Sequence, residues 1–207
     1  MEQASSKTQE KTQAKAKGKR TASRTRSIAF VGLSIAIMAV SAWVTVPLGP
    51  VPFTLQMFAL AFAILVLTPK QCLAAVAGYL AIGAIGVPVF SGMRGGIGVL
   101  AGPTGGYLWG YLLGAAAALL VLGALRRRFG TEGARAGAKG IAVDVAATLV
   151  FVIVAYACGW AQFMAVTGAG PAAAFMTTIA PFVVLDVVKM VAAALCARAV
   201  RAAVPQR

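Results

Sequence analysis

Histidine is absent from the 207 residues, and acids are scarce: five Asp and Glu stand against nineteen Lys and Arg. Without imidazole the usual base for a nucleophile and the commonest metal ligand are both missing. The three cysteines, Cys72, Cys158 and Cys196, lie far apart in apolar segments. That spacing fits neither a metal site nor a disulfide framework, and it predicts three small buried hydrophobes. No Walker loop occurs, so ATP hydrolysis by that route is excluded. The stretch Gly96-Ile97-Gly98-Val99-Leu100-Ala101 has the loose spacing of a dinucleotide fingerprint. No strand precedes it and no acid follows about twenty residues on, so it is a decoy. The chain is read as no enzyme, with no cofactor and no metal.

Apolar residues are abundant instead. They make up 60% of the chain against 12% charged, and the mean hydropathy is +0.86. One soluble core could not hide that much apolar surface. A helix crossing a bilayer needs ~20 mostly apolar residues. Six apolar runs occur: Ile28–Val46, Phe53–Leu67, Cys72–Val87, Tyr107–Leu125, Ile141–Met164 and about Ala173–Val200. The fold class predicted is an all-α membrane protein, a six-helix transmembrane bundle over residues 27–202. A disordered basic tail over 1–26 and a short tail over 203–207 flank it, both cytoplasmic. The second and third runs are shorter than a full span.

Cation placement sets this orientation. Eight Lys and Arg lie in the first 26 residues, Lys70 follows the second run, and five follow the fourth: Arg126, Arg127, Arg128, Arg135 and Lys139. Arg198, Arg201 and Arg207 close the chain, Arg94 alone falls on the outer side, and Lys189 lies within the sixth run. An odd number of crossings would spoil the bias. The same clustering argues against nucleic acid as a partner, because a nucleic-acid binder spreads its charge over a soluble scaffold.

Few groups are left to carry chemistry. Asp186 and Lys189 sit in the middle to outer part of the sixth run, three apart and so on one helix face. Each charge costs ~2.5–3.5 kcal/mol at a helix centre. They either form an internal ion pair that locks helices or bind a ligand. The second reading is preferred, because a buried pair is weak evidence for stability. An acceptor-only carboxylate beside a donor-only ammonium suits a ligand with both N–H and C=O groups. Arg94, in Ser91-Gly92-Met93-Arg94-Gly95-Gly96, is either a solvated loop charge or a clamp for a ligand carboxylate. Gln56 and Thr54 face a cavity or another helix. Asp144, placed at the start of the fifth helix, is read as structural, complementing the helix dipole and the nearby arginines. Gly102, Gly106, Gly110 and Gly114 recur every four residues and permit close helix approach. Ala29, Gly32, Ala36 and Ala39 form a small-residue stripe on the first helix, for internal packing or for docking onto another membrane subunit.

The chain resembles the BioY family, the biotin-capturing S-components of energy-coupling-factor vitamin transporters. The likeness spans roughly residues 28–200. It is densest in Pro47-Leu48-Gly49-Pro50-Val51-Pro52-Phe53-Thr54-Leu55-Gln56, Gly83-Ala84-Ile85-Gly86-Val87-Pro88-Val89-Phe90, Gly92–Gly96 and Gly102-Pro103-Thr104-Gly105-Gly106-Tyr107, followed by the late Asp-x-x-Lys. The resemblance implies high-affinity biotin uptake across a bacterial cell membrane, with a multi-pass bundle binding biotin from outside. Asp186 and Lys189 would contact the ligand's polar groups, Asp186 accepting a ureido N–H, with Arg94 and Gln56 contributing. It also implies docking through Gly32-Leu33-Ser34-Ile35-Ala36, with Gly32 and Ala36 at the contact. The partner would be a T-component carrying two ATPases; self-association is the alternative. An S-component for a different vitamin and a non-transport membrane scaffold are the competing readings. One departure stands out: the family usually places Pro-Gly before the Asp, where this chain has Val184-Leu185. Lacking that Gly, the backbone approaches a ligand less closely. Lacking that Pro, the helix is expected to begin just after Pro181.

Overall fold

Each apolar run contains a helix, in the expected order. The computed structural model describes residues 24–46, 51–130 and 137–203. Helix α1 (Arg24–Trp43) leads into a two-stranded hairpin, β1 (Thr45–Val46) and β2 (Phe53–Thr54). Then follow α2 (Gln56–Val66), α3 (Pro69–Ala84), α4 (Ile97–Ala101), α5 (Gly105–Phe129), α6 (Gly137–Thr167), α7 (Pro171–Thr178) and α8 (Val183–Ala203). The expected basic tail lies outside the described residues up to position 23, and Arg24, Thr25 and Arg26 open α1. The expected C-terminal tail lies outside them after Ala203, which closes α8.

Helices α1, α5 and α6 are long and apolar enough to cross a membrane, and α7 with α8, bent by 47° at their break, make a fourth span if taken as one. At 11 and 16 residues, α2 and α3 are shorter than the ~20 a crossing needs. Local chemistry sets the ends. Thr68 and Gln71 form a reciprocal capping box before α3, with Pro69 in its first turn. Helix α5 stops after three arginines at Gly130, whose φ of 60° suits a left-handed cap.

The core joins residues of several helices, among them Leu60, Ile64, Val76, Phe151 and Met190. The outer surface is apolar as well, with Leu120, Ile153 and Val188 well exposed. In water that would be a liability; lipid makes it the preferred surface. Cysteine placement follows the same logic. Only Cys72 is buried, Cys158 is half-buried and Cys196 is exposed. The expectation of three buried cysteines is therefore corrected, since an outward thiol in an apolar solvent needs no burial.

Helices α5 and α6 form the most extensive pair among α2 to α8. Gly106, Gly110 and Gly114 line this seam against Cys158, Ala155 and Phe151, whereas Gly102 caps α4 and stands outside α5. A Cβ on Gly110 would lie 2.7 Å from the Ala155 Cα, and one on Gly123 would meet nothing within 4 Å. Both sites gain ~1 kcal/mol of helix propensity from alanine. Overpacking costs ~1–3 kcal/mol, so it prevails at Gly110 only. Gly110→Ala is expected to lower the thermal midpoint in detergent and Gly123→Ala to hold or raise it.

At one end of the bundle Asp144 is buried between Arg126, 2.9 Å away, and Arg201, which also pairs with it. The Arg half of the expected role is what the structure has. The dipole half is corrected: α6 begins at Gly137, two turns earlier, and the helix-terminal field fades within the first turn.

Candidate functional site

The other end of the bundle holds a cavity of 640 Å³, its open mouth included. Tyr111 and Arg126 are both on α5 and Asp186 and Arg201 both on α8, so ~22 Å of helix separates the cavity from the Asp144 cluster along each. Residues of β2, α2, α5, α6, the α7–α8 link and α8 wall it, with the loop carrying Arg94 at the rim.

Asp186 and Lys189 are its charged floor. Rather than sitting mid-helix, Asp186 falls in the first turn of α8, after the break at 179–182. An anion there meets the positive end of the helix dipole. Lys189 Nζ donates to Asp186 Oδ1 and to the Thr54 carbonyl, both at 2.7 Å, and stands 3.7 Å from the centroid of Phe53. Tyr156 donates its hydroxyl to the other carboxylate oxygen, Oδ2, at 2.5 Å. The pair is thus satisfied within the protein, and it also borders an open cavity.

Gln56, 2% exposed, donates through Nε2 to the Tyr79 hydroxyl at 2.8 Å, and that hydroxyl donates to the Val89 carbonyl at 2.8 Å. A phenol has one proton. With it on Val89, the Gln56 amide must turn its nitrogen to Tyr79, which leaves its Oε1 as an acceptor for the cavity. Thr54 contributes its backbone to Lys189, and its hydroxyl accepts from the Gln56 N–H at 3.3 Å.

Arg94 sits on a tight loop closed by a bridge to Phe90, with Gly92 and Met93 at φ of 69° and 56°. Its Nε donates to the Ser91 carbonyl at 3.2 Å, and it forms no ion pair among the described residues. The guanidinium is exposed at the rim. The sequence-predicted Asp186, Lys189, Gln56 and Arg94 therefore share one cavity. Gly32 and Ala36 do not: both are exposed on α1, as is Ala29, while Ala39 is buried.

Sequence reasoning missed Tyr107, Tyr111 and Tyr156, which line the cavity, and Tyr79 behind it. The signal was present, because each phenol in an apolar run needs a hydrogen-bond partner. Val184 and Leu185, where the family usually has Pro-Gly, are exposed and do not line the cavity. Helix α8 begins at Val183, two residues after Pro181.

A family model described as the BioY family matches residues 10–206. The chain belongs to the BioY family. Among BioY relatives, the biotin transporter BioY of Thermotoga maritima is 38% identical over 174 residues, 83% of this chain and 94% of that one. The biotin transporter BioY of Rhizobium etli is 36% identical over 184 residues, 87% of this chain and 96% of its own. A probable biotin transporter BioY of Pyrococcus horikoshii is 34% identical over 172 residues, covering 83% and 94%. The fold matches the crystal structure of the S-component for biotin from an ECF-type ABC transporter, with a TM-score of 0.77 at 21% identity, over 86% of this chain and 92% of that one. This BioY-family chain is a membrane protein.

Proposed function

We propose that the chain captures biotin at the outer face of a bacterial cell membrane as the S-component of an energy-coupling-factor transporter. The observation that carries the reading is the cavity that gathers Asp186, Lys189, Gln56 and Arg94 from separate parts of the chain. Biotin offers a ureido ring with N–H and C=O groups and a carboxylate on a flexible arm. Asp186 and Gln56 supply acceptors for the N–H groups, and Arg94 at the rim supplies a bidentate donor for the carboxylate. Phe53 and Phe182, stacked at 6.4 Å between centroids, give the apolar body a wall.

In this reading the chain crosses the membrane six times with both ends cytoplasmic, the short α2 and α3 completing the count. Support comes from the cation bias and from the ~22 Å that separate the Arg94 end from the Arg126–Asp144–Arg201 end. Transport needs energy that a chain without a Walker loop cannot supply. In the same reading Gly32 and Ala36, both exposed on α1, form the dock for a T-component with two ATPases, or for a second copy of the chain.

Purified protein in detergent is expected to bind biotin saturably at one site, read by equilibrium dialysis. No binding at micromolar biotin would overturn the proposal. Arg94→Gln is expected to weaken biotin by about tenfold, the loss of one charge-assisted hydrogen-bonded pair. The same variant should leave biotinamide, which lacks the carboxylate, almost unaffected.

A further inference from the structure

The chain has four tyrosines. Three commit their single proton to the protein: Tyr79 to the Val89 carbonyl, Tyr107 to the Thr178 carbonyl at 2.7 Å, and Tyr156 to Asp186. Tyr111 is different. It is 6% exposed and lines the cavity, and its hydroxyl makes no hydrogen bond among the described residues. Its ring is held against Phe151, 6.1 Å between centroids, and Asp186, Tyr79 and Tyr107 are its electrostatic neighbours. A buried phenol without a protein partner is uncommon, and it leaves the hydroxyl to whatever fills the cavity.

The count of phenols then points one way. Lys189 has protons on Asp186 and on Thr54, with the face of Phe53 against it, and the other cavity phenols are engaged. Gln56 offers a carbonyl and Asp186 a carboxylate, both acceptors. A ligand ring carrying two N–H groups around a carbonyl therefore finds acceptors for its nitrogens and, among the cavity phenols, one uncommitted hydroxyl for its oxygen, although the Thr54 and Thr104 hydroxyls also line the cavity with protons that no described residue takes. We infer that Tyr111 is a specificity-determining ligand contact whose hydroxyl donates to the ureido oxygen of biotin. The inference rests on the reading of this site as a biotin site.

Tyr111→Phe tests it, since the ring and its packing remain and only the hydroxyl is lost. Biotin affinity is expected to fall by about 5- to 150-fold, the range for one buried acceptor left unmade. The thermal midpoint of the ligand-free protein stays put, because no bond within the protein is broken. Tyr156→Phe, which strips a donor from Asp186, lowers that midpoint and serves as the contrast. The second readout is 2-iminobiotin, whose guanidinium-like ring has no acceptor oxygen. Wild-type protein discriminates against it, and Tyr111→Phe narrows that discrimination by about the factor lost for biotin. Equal biotin affinity in the variant and the wild type overturns the inference while leaving biotin capture intact. So does an equal loss for both compounds. Failure of the wild type to bind biotin instead removes the biotin site, and the inference with it.

Discussion

Asp186→Asn is expected to weaken biotin binding by about 10- to 150-fold and to lower the thermal midpoint of the protein as well. The first effect follows from losing a charged acceptor, worth about 1.5–3 kcal/mol per hydrogen bond. The second follows from Lys189. Its ammonium is buried, and with asparagine it loses its countercharge, keeping only neutral acceptors: the Thr54 carbonyl and one amide oxygen for which Tyr156 competes, beside the Phe53 ring. Breaking a buried pair from one side costs about 3–5 kcal/mol, because the surviving charge is uncompensated. Both a scaffold and a ligand site predict the drop in stability, so the single variant does not separate them. The double variant Asp186→Asn with Lys189→Met does. It removes both charges, and stability is expected to return most of the way, since apolar replacement of a buried pair is often neutral or better. Biotin binding is expected to stay at least as weak as in the single variant. A double variant that binds biotin as tightly as wild type would end the case for these charges as ligand contacts.

Much of this site was legible because charge in an apolar run is costly and therefore conspicuous. Asp186 and Lys189 stood out for that reason, with three-residue spacing putting them on one face, and Arg94 stood out as the lone cation on the expected outer side. What was hidden is instructive. The sixth run reads as one helix, since nothing in Ala173–Val200 but Pro181 hints at the break that puts Asp186 in the first turn of α8. The tyrosines passed as apolar filler, because hydropathy scores the ring and ignores the hydroxyl that sets the donor count of the cavity. Arg201 looked like a topology signal, and it reaches Asp144 across 57 residues of sequence. The orientation of Val184 and Leu185 was equally out of reach. Only the rotation of α8 turns them outward, so their departure from the family pattern leaves the cavity wall untouched.

Asp144→Ala is expected to be the strongest purely structural variant. The carboxylate is 3% exposed and joins two arginines, whose side chains are 25% exposed at Arg126 and 13% at Arg201. Its loss leaves two like charges facing each other in a space the protein has closed, and among the described residues the Arg201 Nε already lacks a partner. Removing the shared partner of a buried cluster costs about 3–5 kcal/mol. Arg126 is partly exposed and can turn toward water or lipid headgroups, which puts the cost toward the lower figure. For a chain of this size that is a fall of about 6–20 °C in the thermal midpoint. Biotin affinity of the molecules that remain folded should be unchanged at 25 °C, since ~22 Å of α5 separate Arg126 from Tyr111. Arg201→Met in the Asp144→Ala background should recover part of the loss by removing one of the opposed charges. Unfolding at the wild-type temperature would show that lipid or solvent already screens the cluster. A drop in affinity with an unmoved midpoint would mean that the two ends of the bundle are coupled. The two buried carboxylates thus carry opposite signatures: removal of both partners restores stability without binding at Asp186, whereas loss of Asp144 costs stability and leaves binding alone.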